Sequence, residues 1–152
     1  MEFDVIKKIQ GMIDAPDLSN GPNRLVRKMG LDKHLRFTRV AFGEFDLEWR
    51  VDPELCLGDD FVQGGVVGVV ADMAQSFAFW STSKGPESYS TSDLHIRFIR
   101  PITAGKVMLV ASKVMNRSRR IAVIESSVTN VETGKLHAVV TGGWMVADRN
   151  LG

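Results

Sequence analysis

One stretch constrains the fold more than any other: Phe61-Val-Gln-Gly-Gly-Val-Val-Gly-Val-Val-Ala-Asp-Met-Ala-Gln-Ser-Phe-Ala-Phe-Trp80. It opens on Gly64-Gly65 and then stays apolar, with a single carboxylate, Asp72, in its middle. Apolar residues fall on every side rather than in one stripe. A helix here, from about Gly64 to Trp80, therefore needs cover all round. An acid inside such a helix is costly unless it is paired or left neutral. That conflict between local sequence and burial marks Asp72 as the first functional candidate.

The chain supplies the cover. At 152 residues it can build one sizeable core, and residues 1–152 read as a single domain. Residues 2–13 carry Phe3, Ile6, Ile9 and Ile13 at helical spacing. Residues 14–22 are rich in turn formers, and a second short helix around Asn23–Met29 ends at Gly30. These pieces, residues 1–32, form an N-terminal helical cap. From Lys33 the period changes. Residues 34–41 read as a strand, and Phe45, Leu47, Trp49 and Val51 alternate with Asp46, Glu48 and Arg50. Residues 56–61 read as a loop. After the helix come Ser90–Ile99, Val107–Met115, Ile121–Asn130 and Lys135–Val146, joined by short turns that suit antiparallel neighbours. The predicted architecture is α+β: a curved antiparallel sheet of about six strands wrapped around one long buried helix. One such sheet cannot enclose the helix fully, so at least a dimer is expected.

Several function classes are disfavoured. Nineteen basic residues against eighteen acidic ones leave a net charge of +1, without the basic excess of a nucleic-acid binder. Gln63, Asp72 and Gln75 interrupt the long apolar stretch, which argues against a membrane span. Cys56 is the sole cysteine, and the first residues lack the basic-then-apolar order of a signal peptide, so a cytoplasmic location is expected. His34, His95 and His137 have no metal-ligand spacing, and no metal is expected.

Gln63-Gly-Gly-Val-Val-Gly-Val-Val-Ala-Asp72-Met-Ala resembles the His-Gly-Gly…Asp-x-Ala helix signature of hotdog-fold acyl-CoA thioesterases, the group containing phenylacetate-pathway and 4-hydroxybenzoyl-CoA thioesterases. Thr91-Ser-Asp-Leu-His-Ile-Arg-Phe-Ile-Arg-Pro101 resembles the strand that follows the helix in that family, and the turns at Asn116–Arg120 and Glu132–Ala138 fall where its next turns fall. The resemblance runs from about Phe37 to Val146. It implies the hotdog fold and hydrolysis of a small or medium acyl-CoA, aromatic acyl groups included, by a homodimer with two shared sites. A dimer of dimers is expected, with coenzyme A present only as part of the substrate and no other cofactor. Carried over by position, Gly64 offers its backbone N–H to the thioester carbonyl, Asp72 is the catalytic carboxylate, and Ser76 and Thr91 are hydroxyls that help hold the attacking water. Gln63 stands where His is common, and Ser118 where Gly is usual.

Elementary chemistry runs alongside. A helix N-terminus presents unpaired N–H groups and partial positive charge, which suits a developing oxyanion, and Gly64 and Gly65 let a ligand approach closely. The other reading is that these glycines serve close packing, which suits Gly68 better. Asp72 can act as general base or as nucleophile, the other reading being a buried acid satisfied by a structural hydrogen bond across the dimer. Ser76 and Thr91 could equally bond back to carbonyl groups, and Gln63 could simply brace its loop. Arg117, Arg119 and Arg120 cluster in one turn and suit the phosphates of coenzyme A, or equally form a solvated surface turn. Phe77, Phe79 and Trp80 read as core before they read as an acyl pocket. Gly64 and Asp72 lie about 12 Å apart along one helix, too far to serve one carbonyl from the same chain, so a shared site again requires two chains. Two further readings are a non-catalytic acyl-CoA-binding regulator and a hotdog acyl-thioester dehydratase. Dehydratases place a His beside the acid, and none lies near this helix.

Overall fold

The computed structural model describes residues 4–15, 23–58 and 60–147. The cap helices are α1 (Val5–Asp14) and α2 (Arg24–Lys28). Asp4 caps the first by accepting the Lys7 N–H at 3.0 Å. Asn23 caps the second, its Oδ1 accepting the N–H groups of Leu25 and Val26. Each cap supplies acceptors that a helix start otherwise lacks. Val5, Ile9 and Val26 are buried, which holds both helices to the core. From residue 16 the predicted loop over 14–22 lies outside the described residues.

The hairpin β1 (Leu35–Ala41) and β2 (Glu44–Arg50) turns at Gly43, whose φ of 75° favours glycine. The predicted loop over 56–61 instead contains a small antiparallel pair, β3 (Cys56–Leu57) with β4 (Phe61–Val62). Helix α3 (Gly64–Trp80) follows, then β5 (Ser88–Phe98), β6 (Val107–Arg117), β7 (Ile121–Asn130) and β8 (Leu136–Ala147). Arg117 therefore closes a strand, and only the next three residues form the arginine-rich turn.

Six strands form one antiparallel sheet in the order β1-β2-β6-β7-β8-β5. Short hairpins join β1 to β2, β6 to β7 and β7 to β8. Two pairings link segments distant in sequence: β6 returns beside β2, and β5 lies at the far edge beside β8. Alternation selects the concave face: Phe45, Leu47 and Trp49 from β2, Met108 and Val110 from β6, Ile124 and Val128 from β7, and Val140 and Trp144 from β8 are all buried against α3. Phe45 stacks on Phe77 of the helix at 4.8 Å between ring centroids, with Phe37 edge-on to both.

Within one chain the helix is not covered on every side. Gly65 is exposed, and Val69, Asp72, Ser76 and Trp80 are half-buried. These positions recur every three to four residues and so form one open stripe. Among the described residues no helix is long and apolar enough to cross a membrane.

Candidate active site

Helix α3 and edge strand β5 run antiparallel to one another. A Cβ added at Gly64 would stand 3.3 Å from the Phe98 ring, and one at Gly68 would stand 3.2 Å from Ile96 Cδ1. Farther along, Thr91 Oγ1 donates to Asp72 Oδ1 at 2.5 Å. Small residues thus let the helix start lie close to the strand, and a hydroxyl meets the acid one stage later.

A phase slip aims that hydroxyl. Phe98, Ile96 and Leu94 oppose Ala138, Val140 and Gly142 of β8, all inward positions. The register then shifts between Thr91 and Asp93, so Thr91 opposes Trp144 and Tyr89 opposes Val146. Ser92 is the extra residue of a β-bulge, and bulges re-aim the side chains beyond them. Without it Thr91 would face away from α3. The sequence carries a sign of this: Tyr89 is out of phase with Leu94, Ile96 and Phe98. Buried against Phe79 and Trp144, the Tyr89 phenol has its pKa pushed up to about 12. It therefore stays neutral near pH 7.

The remaining sequence candidates sort by position. Ser76 lies one turn beyond Asp72, and its Oγ donates to the Met73 carbonyl at 2.6 Å. That back-bond leaves it only lone pairs to offer a water. Gln63 is the N-cap residue of α3 but makes no side-chain capping bond, and its side chain is exposed. Its own N–H is used by Leu55 O, and its carbonyl accepts from Val66. The N–H groups of Gly64 and Gly65 meet no acceptor among the described residues. Over Gly65 the space is open, with no atom within 4 Å of a Cβ built there.

The arginines belong to another region. Arg117 Nη2 donates to Glu87 Oε2 at 2.8 Å, and its guanidinium lies 4.0 Å from the Phe79 ring centroid, while Nη1 is buried with no hydrogen-bond partner among the described residues. Arg119 and Arg120 are exposed in the turn. Arg119, with Lys84, lines a cleft of about 610 Å³ near the C-terminal end of α3. His34 faces Asp52, His137 Nδ1 meets Pro101 O, and His95 is on the outer face, so no imidazole joins Asp72.

One buried feature escaped the sequence reading. Gln75 Nε2 donates to Ser126 Oγ and Val140 O, while its Oε1 accepts from Trp144 Nε1 at 2.9 Å. Ser112 and Ser126 share a further bond. The network ties α3 to three strands directly beneath the site. It also explains Gly142, where a Cβ would fall 1.9 Å from Gln75 Oε1.

Taken together, a carboxylate with one hydroxyl partner lies on the open stripe of a helix whose first two N–H groups meet no acceptor among the described residues. A carboxylate can take a proton from water or attack a carbonyl carbon, and free N–H groups at a helix start stabilise an oxyanion. Fold and stripe define the class: a hotdog-fold protein equipped for acyl transfer to water. The chain belongs to the thioesterase superfamily, whose family model matches residues 60–137, and it is a thioester hydrolase. Among solved structures it is similar to the Escherichia coli PaaI protein from the phenylacetic acid degradation operon, at 17% identity and a TM-score of 0.76 over 97% of this chain and 96% of that one. Zebra fish thioesterase superfamily member 2 aligns at 18% identity and a TM-score of 0.75, covering 93% and 98%. A hypothetical thioesterase with coenzyme A from Streptococcus pneumoniae aligns at 14% identity and 0.71, covering 78% and 90%. At these identities the likeness speaks to the fold. A sequence search of curated proteins finds no match.

Proposed function

We propose that this protein hydrolyses the thioester bond of small or medium acyl-CoA molecules, aromatic acyl groups included, with Asp72 as general base or nucleophile. The observation that carries the reading is the Asp72–Thr91 hydrogen bond on the open stripe of α3. As a base, Asp72 takes a proton from water, the hydroxide adds to the thioester carbon, and the C–S bond breaks to release the thiolate. As a nucleophile, its carboxylate displaces the thiolate and forms an anhydride that water then opens. In both routes the carbonyl oxygen gains charge and needs donors, and the Gly64 N–H is the group assigned to it. Thr91 holds the Asp72 carboxylate in place, while Ser76 and Gln63 border the water or carbonyl. Coenzyme A is the proposed thiol, in line with the coenzyme A bound to the pneumococcal relative. Arg119 and Arg120 suit its phosphates, and Arg117, paired with Glu87 through Nη2, lines the same cleft as Arg119.

The site is proposed to be shared between two chains. Gly64 of one subunit serves the Asp72 of the other, and the open stripe is the surface the second copy covers. A dimer of dimers, in the cytoplasm, completes the reading.

The test is release of free thiol over a panel of acyl-CoA substrates. Asp72→Ala should lower kcat by about 1,000-fold or more, in the range of losing an essential base or nucleophile, while circular dichroism stays unchanged. A folded Asp72→Ala protein that works at the wild-type rate would overturn the mechanism.

A further inference from the structure

A second cavity, of about 380 Å³, is lined by residues next along both elements that carry the Asp72–Thr91 pair, though not by the pair itself. Its walls continue both elements of that pair. From α3 come Met73 and Ser76, which flank the turn beyond Asp72, and then Phe77 and Trp80. From β5 comes Tyr89, two residues from Thr91 and on the same face of the strand. The cap closes the other side with Met12 of α1 and with Asn23 and Arg24 at the start of α2.

The chemistry of this lining is specific. Its large side chains are a thioether pair and three aromatic rings. Two of its polar groups are spent internally: Ser76 Oγ on the Met73 carbonyl, and Asn23 Oδ1 on the α2 cap. The interior therefore offers an apolar guest contact area and few unmet hydrogen bonds. Arg24 is exposed and has no ion-pair partner among the described residues, so a cation sits at the cap side of the cavity.

The two helix aromatics differ in freedom. Phe77 is buried and locked between Phe37 and Phe45. Trp80 is half-buried in the last turn of α3, and among the described residues the one ring it meets is Phe77, tilted at 6.2 Å. Phe77 forms a fixed floor, while Trp80, half-buried and packed against the core from the end of the open stripe, stands as an end wall. The volume lies near the lower limit for small-molecule sites, which fits a ring on a short linker or a short chain better than a long fatty chain.

We propose that this cavity receives the acyl group, running from Asp72 toward Trp80 beneath the helical cap, and that Trp80 limits the length of acyl chain admitted. The assignment rests on the thioesterase reading for where the carbonyl lies, but its test does not need turnover. Non-hydrolysable thioethers of coenzyme A carrying a phenethyl or a decyl group would be titrated into the full-length protein by calorimetry. Wild type should prefer the phenethyl ligand. Trp80→Ala should move the ratio of affinities toward decyl by about tenfold or more, the effect expected of freeing several methylenes' worth of apolar space. Met12→Trp, which fills the cavity from the cap side, should weaken both ligands and decyl most. The proposal is overturned if neither thioether binds, or if both variants keep the wild-type ratio. Acyl-CoA turnover alongside an unchanged ratio would spare the thioesterase reading and remove this one. A shifted ratio without turnover of any acyl-CoA would do the reverse.

Discussion

At the scale of single residues, Gly64 is open to a sharp test. It occupies the first position of α3, and Gln63 before it has φ −59° and ψ 125°. That extended ψ is the one a residue before proline favours, and proline is favoured at the first helical position because its missing N–H is unpaired there anyway. Gly64→Pro therefore removes the proposed oxyanion donor from a backbone already shaped for the ring. Gly64→Ala keeps the donor and asks only a few tenths of an ångström from the Phe98 ring, itself half exposed. The proline variant should lose about 100-fold in kcat and the alanine variant little, with both melting within a few degrees of wild type. Equal losses would point to packing as the role of Gly64. Tyr89 permits a second residue-level prediction. An unfolded phenol ionises near pH 10, the folded one at about 12. Between those values the unfolded state binds fewer protons, so the contribution is whole below pH 10 and is lost as pH rises to 12. The slope should be about 1.4 kcal/mol per pH unit. Tyr89 is the only tyrosine, so its ultraviolet titration reads the pKa directly. Urea unfolding of Tyr89→Phe, compared with wild type at pH 9 and 11, should show the slope removed.

At the scale of elements, the helix and its neighbours account for what could be read early and what could not. The bounds of α3 at Gly64 and Trp80 follow from the glycine pair and the end of the apolar run. The strands on either side follow from strict alternation, as at Phe45, Leu47 and Trp49. The bulge at Ser92 was not foreseen, because alternation on either side of it reads normally and only the parity of Tyr89 betrays the slip. Nor was the Gln75 network, since a lone amide in an apolar helix reads as an interruption until the serines and Trp144 beneath it are known. The arginine cluster differs from a single turn in one respect: Arg117 ends a strand. Neighbours in sequence, Arg117 and Arg119 line one cleft, but Arg117 is paired with Glu87 at the end of β6 while Arg119 is exposed in the turn, because β6 runs two residues farther than its apolar pattern. Gly142 supplies the prediction at this scale. Gly142→Ala drives a methyl into Gln75 Oε1, so either the amide leaves its buried partners or the strand shifts. Overpacking plus stranded hydrogen bonds should cost about 2–4 kcal/mol in urea unfolding. Adding Gln75→Ala should restore part of that loss, since the two changes share one contact.

At the scale of the whole molecule, the separation of Gly64 from Asp72 decides how many chains make a site. If one chain held both partners, mixing two inactive variants would leave two inactive populations. If the sites are shared, Gly64→Pro supplies an intact Asp72 and Asp72→Ala supplies an intact Gly64. A dimer of one with the other then rebuilds one site and leaves its second site doubly impaired. Equal amounts, unfolded together and refolded, should form half mixed dimers, each with one working site of two. Activity should return to about a quarter of wild type through the symmetry of pairing alone. The recovered rate should follow the product of the two variants' fractions and peak at equal mixing. Recovery should be absent when folded dimers are mixed and assayed at once, because subunits must first exchange. A mixture that stays inactive after refolding, while each variant alone refolds to a dimer by light scattering, would place the donor and the acid in one chain. The open stripe of α3 would then need a different occupant.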